Sequence, residues 1–388
     1  MADGGEIRMS EPSTLFAGTT ETVGTGVLPS QALRAAINAH EIEAARPIEA
    51  AQVQPASLDL RLGAKAYRVA SSFLPGAKRT VAERLADLSL YEMDLGRGAV
   101  LERGAVYIVP LEERLKLKWR TSATANPKSS IGRLDIFARV ITDRGTRFDR
   151  VEEGYVGPLY VELAPRSFSI EVRRGSKLTQ LRLRRGSPPV SARFHERLQA
   201  DYRLIGNAEP FDPSKDGVPF TVDVKGAGDG TVIGYRARRY AGLVDVDKVG
   251  VYDPRDFWEP VHARAGQGVL LEPEHFYILA SKESVVVPAH VAAEMVAYDT
   301  TMGEFRVHYA GFFDPGFGCD ETGGAGTRAV LEVRSHEVPF LIEDGQVVGR
   351  LAYERLAAPP DTLYGQGVGS YQKQGLQLAK HFRPWPPG

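Results

Sequence analysis

The chain has 388 residues, enough for two or three domains with hydrophobic cores of their own. Its 48 lysines and arginines nearly balance its 49 aspartates and glutamates, which argues against a general nucleic-acid-binding protein. The single cysteine, Cys319, excludes a disulfide framework and a cysteine-rich zinc site. The sequence has neither a membrane-length apolar run nor a secretory signal, so we predict a cytoplasmic protein without a membrane contact.

In chain order, residues 1–27 are rich in Gly, Ser, Thr and Glu and are predicted to form a flexible leader. A helix is predicted from Ser30, which would cap it, because apolar residues recur behind it at helical spacing. Many short β-rich runs follow between glycines and prolines, a pattern typical of sandwiches and barrels. A further helix is predicted from His195, and one or two helical turns from Pro288.

An internal repeat organises these β-rich runs. Gly98 opens GAVLERGAVYIVPLEE and Gly268 opens GVLLEPEHFYILASKE, an offset of 170 residues. The same offset carries Glu162 in LYVEL onto Glu332 in AVLEV, about 65 residues further along, without net insertion. We therefore predict two similar β domains, a first repeat over 28–190 and a second over 210–388, joined by a linker over 191–209.

A basic turn in the first repeat, PKSSIGR over 127–133, suggests a site for an anion. It combines charged donors, hydroxyls and a glycine that permits close backbone approach: Lys128, Arg133, Ser129, Ser130 and Gly132. Such groups bind phosphate oxygens well, although a solvated turn with helix-capping serines is the alternative. The corresponding stretch of the second repeat, AYDTTMGE, has Asp299 and Glu304 instead, so only the first copy is expected to hold a phosphate.

Two glutamates at equivalent positions are candidate proton carriers. The neighbours of Glu162 on an alternating strand face the other way, so its burial depends on which face is the core, and Glu332 has the same ambiguity. If buried, such a carboxyl would have a raised pKa and could act as a general base or acid; otherwise it lies on a solvent face. Asp143 and Asp149 could orient a sugar hydroxyl or a water, or simply form turns.

Near the C-terminus, aromatic and amide side chains flank the glycines of GQGVGS. Tyr364, Tyr371 and Gln374 could form a lid that closes on a ligand, whereas a frayed chain end is the alternative. The glycine pattern itself has neither Rossmann nor Walker spacing.

Several motifs occur in a recognisable order. The first repeat has QPASLDLRLG, PKSSIGR, FARVITD ahead of GYVGPLYVEL, and KLTQLRL; the second has VHYAGFFDPGFG, AVLEV, VVGRLAYERL and SYQKQG. They resemble the dCTP deaminase branch of the dUTPase-like superfamily over nearly the whole chain, once per repeat. The resemblance implies a mainly β fold of two distorted antiparallel barrels in tandem, assembled as a homo-oligomer with trimeric barrel packing and nucleotide sites between barrels.

The implied activity is hydrolysis of dCTP at cytosine C4 to dUTP and ammonia, with a glutamate base. No zinc or other protein-bound metal is expected, Mg²⁺ would accompany the triphosphate, and dTTP is a candidate inhibitor. By resemblance the catalytic residues are Glu162, Arg133 and Ser129. The substrate-binding residues would be Lys128, Ser129, Ser130, Arg133, Thr142, Asp143, Asp149, Gln180, Tyr364, Tyr371 and Gln374.

Three alternatives stay open. Thr142 and Asp143 stand where the deaminases usually have alanine and histidine, and dUTP-hydrolysing relatives have an aspartate near this place, so a dUTP diphosphatase or a bifunctional enzyme is the nearest alternative. A nucleotide-binding protein without turnover is the second. The third concerns the site: Asp314 and Glu332 of the second repeat could face the basic turn of the first in a composite site.

Overall fold

The computed structural model describes residues 24–188, 190–206, 216–297, 305–307, 311–322, 324–335, 337–367, 369 and 371–386. Strands fill both halves of the chain and the α helices in these ranges are few and short, which confirms the predicted mainly β fold. The helices are α1 (Ser30–Asn38), α2 (Val81–Leu88), α3 (Ser129–Gly132) and α4 (Ala192–Tyr202). None of these helices is long and apolar enough to cross a membrane.

The strands fall into two consecutive sets. Those of the first repeat are β1 (Gly26–Val27), β2 (Ile42–Ala44), β3 (Leu58–Arg61), β4 (Lys65–Val69), β5 (Ser89–Asp94), β6 (Ala99–Leu101), β7 (Val106–Lys116), β8 (Thr121–Pro127), β9 (Ile136–Thr142), β10 (Arg150–Val151), β11 (Val156–Pro165), β12 (Ile170–Val172) and β13 (Lys177–Arg185). Those of the second repeat are β14 (Ile205–Gly206), β15 (Val218–Thr221), β16 (Val232–Ala237), β17 (Val244–Asp245), β18 (Trp258–His262), β19 (Val269–Leu271), β20 (Phe276–Val285), β21 (Val291–Ala297), β22 (Phe305–Val307), β23 (Phe312–Phe313), β24 (Thr327–Ser335), β25 (Phe340–Ile342) and β26 (Val347–Arg355).

The sheet topology of the second repeat copies that of the first. The order β5-β4-β7-β11-β9, with β2 also on β7, recurs as β18-β16-β20-β24-β22, with β14 on β20. The facing sheet of β3, β13, β8 and β10 recurs as β15-β26-β21-β23, and the pair β6-β12 recurs as β19-β25. Each repeat is therefore a barrel-like unit built from the same antiparallel pairs, which confirms the predicted tandem arrangement.

The strand register keeps the 170-residue offset. Glu162 on β11 lies opposite Ile108 on β7, and Glu332 on β24 lies opposite Ile278 on β20. Both glutamates are buried, with 0% and 4% of their surface exposed. Both glutamates therefore point into protein and not into solvent. Their surroundings decide which of the two can reach a ligand.

An aromatic cluster joins the two repeats. Phe168 of the first repeat packs edge-on against Phe257 and Trp258 of the second, with ring centroids 5.6 and 5.4 Å apart. Phe382, near the C-terminus, lies 5.2 Å from Phe257 and 5.9 Å from Trp258. Burying each large ring stabilises the junction by roughly 1.5–3 kcal/mol, so the two barrels and the C-terminal segment share one core.

The helix predictions were partly right. Helix α1 begins at Ser30 as predicted, but Pro29 occupies the N-cap position and the Ser30 hydroxyl instead donates to Asp361. Helix α4 begins three residues before His195, at Ala192. The helix predicted from Pro288 is wrong: the chain runs as strand β21 paired with β26, and Val291, Ala293 and Met295 are among its buried side chains.

Helix α2 was not predicted, although a signal was present. Thr80 accepts from the backbone N–H of Glu83 at 3.2 Å, and the Glu83 side chain accepts from the Thr80 backbone N–H at 2.6 Å. This reciprocal capping box follows the T-x-x-E pattern that marks helix starts, so the sequence could have revealed it.

Candidate active site

A cavity of about 310 Å³ lies between the two repeats. The first repeat contributes the basic turn and Gln180, and the second contributes residues 311–314, Phe317 and Glu332. The C-terminal segment closes the cavity with Tyr364, Tyr371, Gln374 and Lys380. The volume lies at the lower end of the range for small-molecule sites.

The basic turn is a wall of this cavity. Strand β8 ends at Pro127, the single turn α3 follows, and the Lys128 backbone N–H donates to Leu178 on the neighbouring strand at 2.9 Å. Ser130 and Arg133 are buried, so the alternative of a solvated surface turn is wrong. Ser129 faces the second repeat, since a Cβ built on Gly311 would lie 4.0 Å from its Oγ.

Asp59 organises the polar end of the cavity. Its carboxylate forms an ion pair with the ammonium of Lys128 and accepts a hydrogen bond from Gln180 Nε2 at 3.3 Å. The buried carboxylate thereby fixes both side chains along the wall, where Lys128 keeps part of its surface exposed.

Arg133 connects the basic turn to the second repeat. Its Nη2 donates to Gln374 Oε1 at 2.8 Å and its Nη1 to the Gln377 carbonyl at 3.0 Å. Its guanidinium stacks 3.9 Å from the centroid of the Tyr371 ring. Its Nε lies 3.9 Å from Glu332 Oε1 and has no hydrogen-bond partner among the described residues. A buried N–H therefore faces a buried carboxyl across a gap that is longer than a hydrogen bond.

Burial raises the pKa of Glu332 to about 8, and the Arg133 charge opposes part of that rise. At pH 7 about one in ten such carboxyls is ionised. A carboxyl whose pKa lies near the working pH can both take and return a proton, and strongly perturbed groups in clefts mark functional sites.

A first-repeat arginine holds the second-repeat turn. Arg182, which is completely buried on β13, donates from Nη2 to Asp314 Oδ1 at 2.9 Å and from Nη1 to the Ala293 carbonyl at 2.8 Å. Its guanidinium also lies 4.0 Å from the centroid of the Phe312 ring. Burial raises the pKa of Asp314, and the Arg182 charge opposes part of that rise.

The predicted lid residues lie over the cavity. The Tyr371 backbone N–H donates to the Tyr364 hydroxyl at 3.0 Å, and Gln374 Nε2 donates to the Arg328 carbonyl at 3.0 Å. Gly316 has φ +95°, and a Cβ there would lie 2.9–3.1 Å from Leu363 and the Tyr364 backbone, so glycine allows the lid to approach this turn. The structure thus brings the three predicted lid residues together with the basic turn.

Glu162 does not line the cavity. Strand β11 pairs with β9 so that Glu162 lies opposite Arg139, whose Nε donates to its carboxylate at 3.0 Å. The Arg139 guanidinium in turn lies 3.9 Å from the Phe148 ring centroid. Because the first repeat contributes its basic turn to the cavity and the second repeat its strand, the glutamate that faces Arg133 is Glu332.

Three other predicted residues also lie elsewhere. Asp143 accepts from the Val81 backbone N–H at 2.8 Å, which fixes the start of α2. Asp149 accepts from the Val140 N–H at 2.8 Å, and burial raises its pKa to about 7. Thr142 is buried at the end of β9. These side chains lie at or beside strand β9 of the first repeat, away from the cavity. The acidic residues of the second repeat, Asp299 and Glu304, lie outside the described residues.

Two residues of the site were missed from the sequence: Arg182, which holds Asp314 in the cavity wall, and Lys380, which lines the cavity. Arg182 had a signal, because the position 170 residues later holds Ala352 and the two repeats therefore differ there. Lys380 had none, because it lies six residues beyond the last matched motif position, Gln374. In the described part of the chain, no group of three His, Cys, Asp or Glu side chains could hold a metal ion.

A cavity with a lysine and hydroxyls on one wall and a buried, perturbed carboxyl on another is suited to an enzyme that acts on an anionic substrate. The model of the 2'-deoxycytidine 5'-triphosphate deaminase N-terminal domain matches residues 24–187, and the model of the C-terminal domain of the same family matches residues 191–382. The chain belongs to the dCTP deaminase family and is an enzyme of that family.

Individual relatives carry matching names. Proteins described as "dCTP deaminase, dUMP-forming" from Beutenbergia cavernae and Corynebacterium glutamicum are each 28% identical over 173 residues, which is 42% and 43% of this chain and 80% and 82% of theirs. The crystal structure of 2'-deoxycytidine 5'-triphosphate deaminase from Agrobacterium tumefaciens is 51% identical, with a TM-score of 0.84. The match covers 89% of this chain and all of that one.

Proposed function

We propose that the chain hydrolyses dCTP to dUTP and ammonia in the cavity between its repeats, with Glu332 as the group that carries the proton. The observation that supports this assignment is the 3.9 Å gap between Arg133 Nε and Glu332 Oε1, where both groups are buried and Nε is unpartnered among the described residues. An enclosed N–H aimed at a carboxyl is a suitable place for a water that is to be deprotonated.

In this mechanism ionised Glu332 takes a proton from water while the hydroxide oxygen bonds to C4 of cytosine, and the carboxyl returns that proton to ring nitrogen N3. The remaining hydroxyl proton then passes through the same carboxylate to the amino nitrogen. The C4–N4 bond breaks, ammonia leaves and the C4 carbonyl forms. Arg133 Nε donates to the attacking oxygen and steadies its charge before and during attack.

At the polar end, Lys128 and the hydroxyls of Ser129 and Ser130 would bind phosphate oxygens, and Mg²⁺ would arrive with the triphosphate. Asp314, held by Arg182, is placed to accept from a sugar hydroxyl. Trimeric barrel packing and inhibition by dTTP remain predictions from the family resemblance, and a cytoplasmic location remains a prediction from the sequence.

The second candidate is a bifunctional enzyme that continues to dUMP, and the description of the two relatives as "dUMP-forming" favours it. Purified protein incubated with dCTP and Mg²⁺, then separately with dUTP, distinguishes the two. Ammonia with dUTP as the end product supports deamination alone, whereas ammonia with dUMP and diphosphate supports the bifunctional enzyme. Absence of ammonia from dCTP would contradict both.

A further inference from the structure

Lys380 is a cavity residue whose ammonium has no partner among the described residues. Its side chain lines the cavity and is half-buried, and no described residue forms an ion pair or hydrogen bond with its ammonium. Burial lowers its pKa, and the charge of Lys128 lowers it further. A partly buried cation is costly unless an anion neutralises it, so its position suggests a negatively charged ligand.

The position of Lys380 is fixed by its backbone. Its N–H donates to the Tyr371 hydroxyl at 3.1 Å, and its carbonyl accepts from the Gly250 N–H at 3.0 Å. The next residues lead into Phe382, which packs in the junction core. The lysine is therefore carried by a fixed part of the C-terminal backbone, and little backbone order needs to be gained on binding.

The end of the cavity at which Lys380 lies follows from its electrostatic neighbours. After burial, the charges that act most strongly on it are Lys128, Asp59, Lys177 and Asp247. Asp59 already binds the Lys128 ammonium, so Lys128 and Lys380 together leave excess positive charge at the polar end. Glu332, by contrast, lies beside Arg133.

We infer that Lys380 is a binding residue for the β and γ phosphates of the nucleotide, opposite Lys128. The inference rests on the proposed function, in which the nucleotide lies with its cytosine ring at Glu332 and its triphosphate at the opposite, polar end. The chemistry it recognises is that of a nucleoside triphosphate, whatever its base, because the lysine contacts phosphate oxygens alone.

The test compares Lys380→Met with Lys373→Met, a matched control because Lys373 is exposed on the same segment and does not line the cavity. Calorimetry in Mg²⁺ with α,β-imido-dUTP and with dUMP measures binding without turnover. Lys380→Met should weaken binding of the triphosphate analogue by at least about tenfold, since a charge-assisted hydrogen bond is lost, and that of dUMP by less than about twofold. Lys380→Arg should recover most of the loss.

The inference would be overturned if Lys380→Met lost affinity for the triphosphate analogue and for dUMP equally, or if it bound the analogue as tightly as Lys373→Met does. The wild-type assay on dCTP is independent of this comparison. A wild-type protein that binds the analogue but releases no ammonia contradicts the proposed function, while the Lys380 comparison still decides the phosphate contact.

Discussion

Replacing Glu332 by glutamine tests the assignment of the proton carrier most directly, because the chain supplies its own control. Glu162 occupies the equivalent register position and is also buried, yet it pairs with Arg139 outside the cavity. Glu332→Gln should therefore slow deamination by about 10²–10⁴-fold, while Glu162→Gln should leave it near the wild-type rate.

The expected magnitude follows from the lining of the cavity. Among its described residues the only other carboxylate is Asp314, which is bound to Arg182 and is not free to replace the base. Loss of general acid–base catalysis costs about 10²–10⁴-fold in rate, or ~3–5 kcal/mol of activation free energy. Glutamine keeps the volume of the side chain, so binding of dCTP should change much less than turnover.

The wild-type pH profile provides a second readout. In the proposed mechanism the ionised form of Glu332 is the base. Because its pKa is raised to about 8, this mechanism predicts that kcat/KM for dCTP rises about tenfold per pH unit from pH 6 and levels off near pH 8. The measurement is ammonia release across this range with constant ionic strength. A Glu332→Gln enzyme with full activity, or an inactive Glu162→Gln enzyme with native thermal stability, would refute the reasoning.

Three further outcomes are expected. The pKa of Glu332 in the folded protein exceeds the ordinary 4.5, so its contribution to stability is full below pH 4.5 and falls as pH rises toward 8; calorimetric melting should show Glu332→Gln gaining on wild type by up to ~5 kcal/mol at higher pH. Arg182→Leu leaves Asp314 buried without its partner and should destabilise the fold by ~3–5 kcal/mol in urea titration, with partial recovery when Asp314→Asn is added; equal stability of the single and double variants would contradict this. Phe382→Ala removes a ring from the junction core and should cost ~3–5 kcal/mol by the same titration, and a loss below ~1 kcal/mol would show that the C-terminal segment is not part of that core.

The fold could be predicted because its signal is periodic and local. Turn residues at short intervals indicated strands, and the 170-residue offset reappears as the register of Ile108 with Glu162 and of Ile278 with Glu332. The prediction of a helix after Pro288 failed because the local sequence pattern there fits a helix and a strand equally well. The stretch after Pro288 alternates small and apolar residues that suit a short helix or a strand, and pairing of β21 with β26 decides between them.

The candidate site could be predicted only in part because its residues come from different repeats. The basic turn and the lid were found as motifs, and both lie on the cavity. The choice between Glu162 and Glu332 could not be made from motifs, since the same strand pattern occurs twice. Which glutamate faces Arg133 depends on how one barrel docks on the other, and the composite alternative stated at the outset describes that geometry.

The packing of Phe382 in the junction has a consequence for the lid. With Tyr364 hydrogen-bonded to the Pro315 carbonyl at one end and Phe382 buried at the other, the intervening chain is a closed loop instead of a free tail. A loop with anchored ends samples fewer open conformations, so less conformational entropy is lost when a nucleotide is covered.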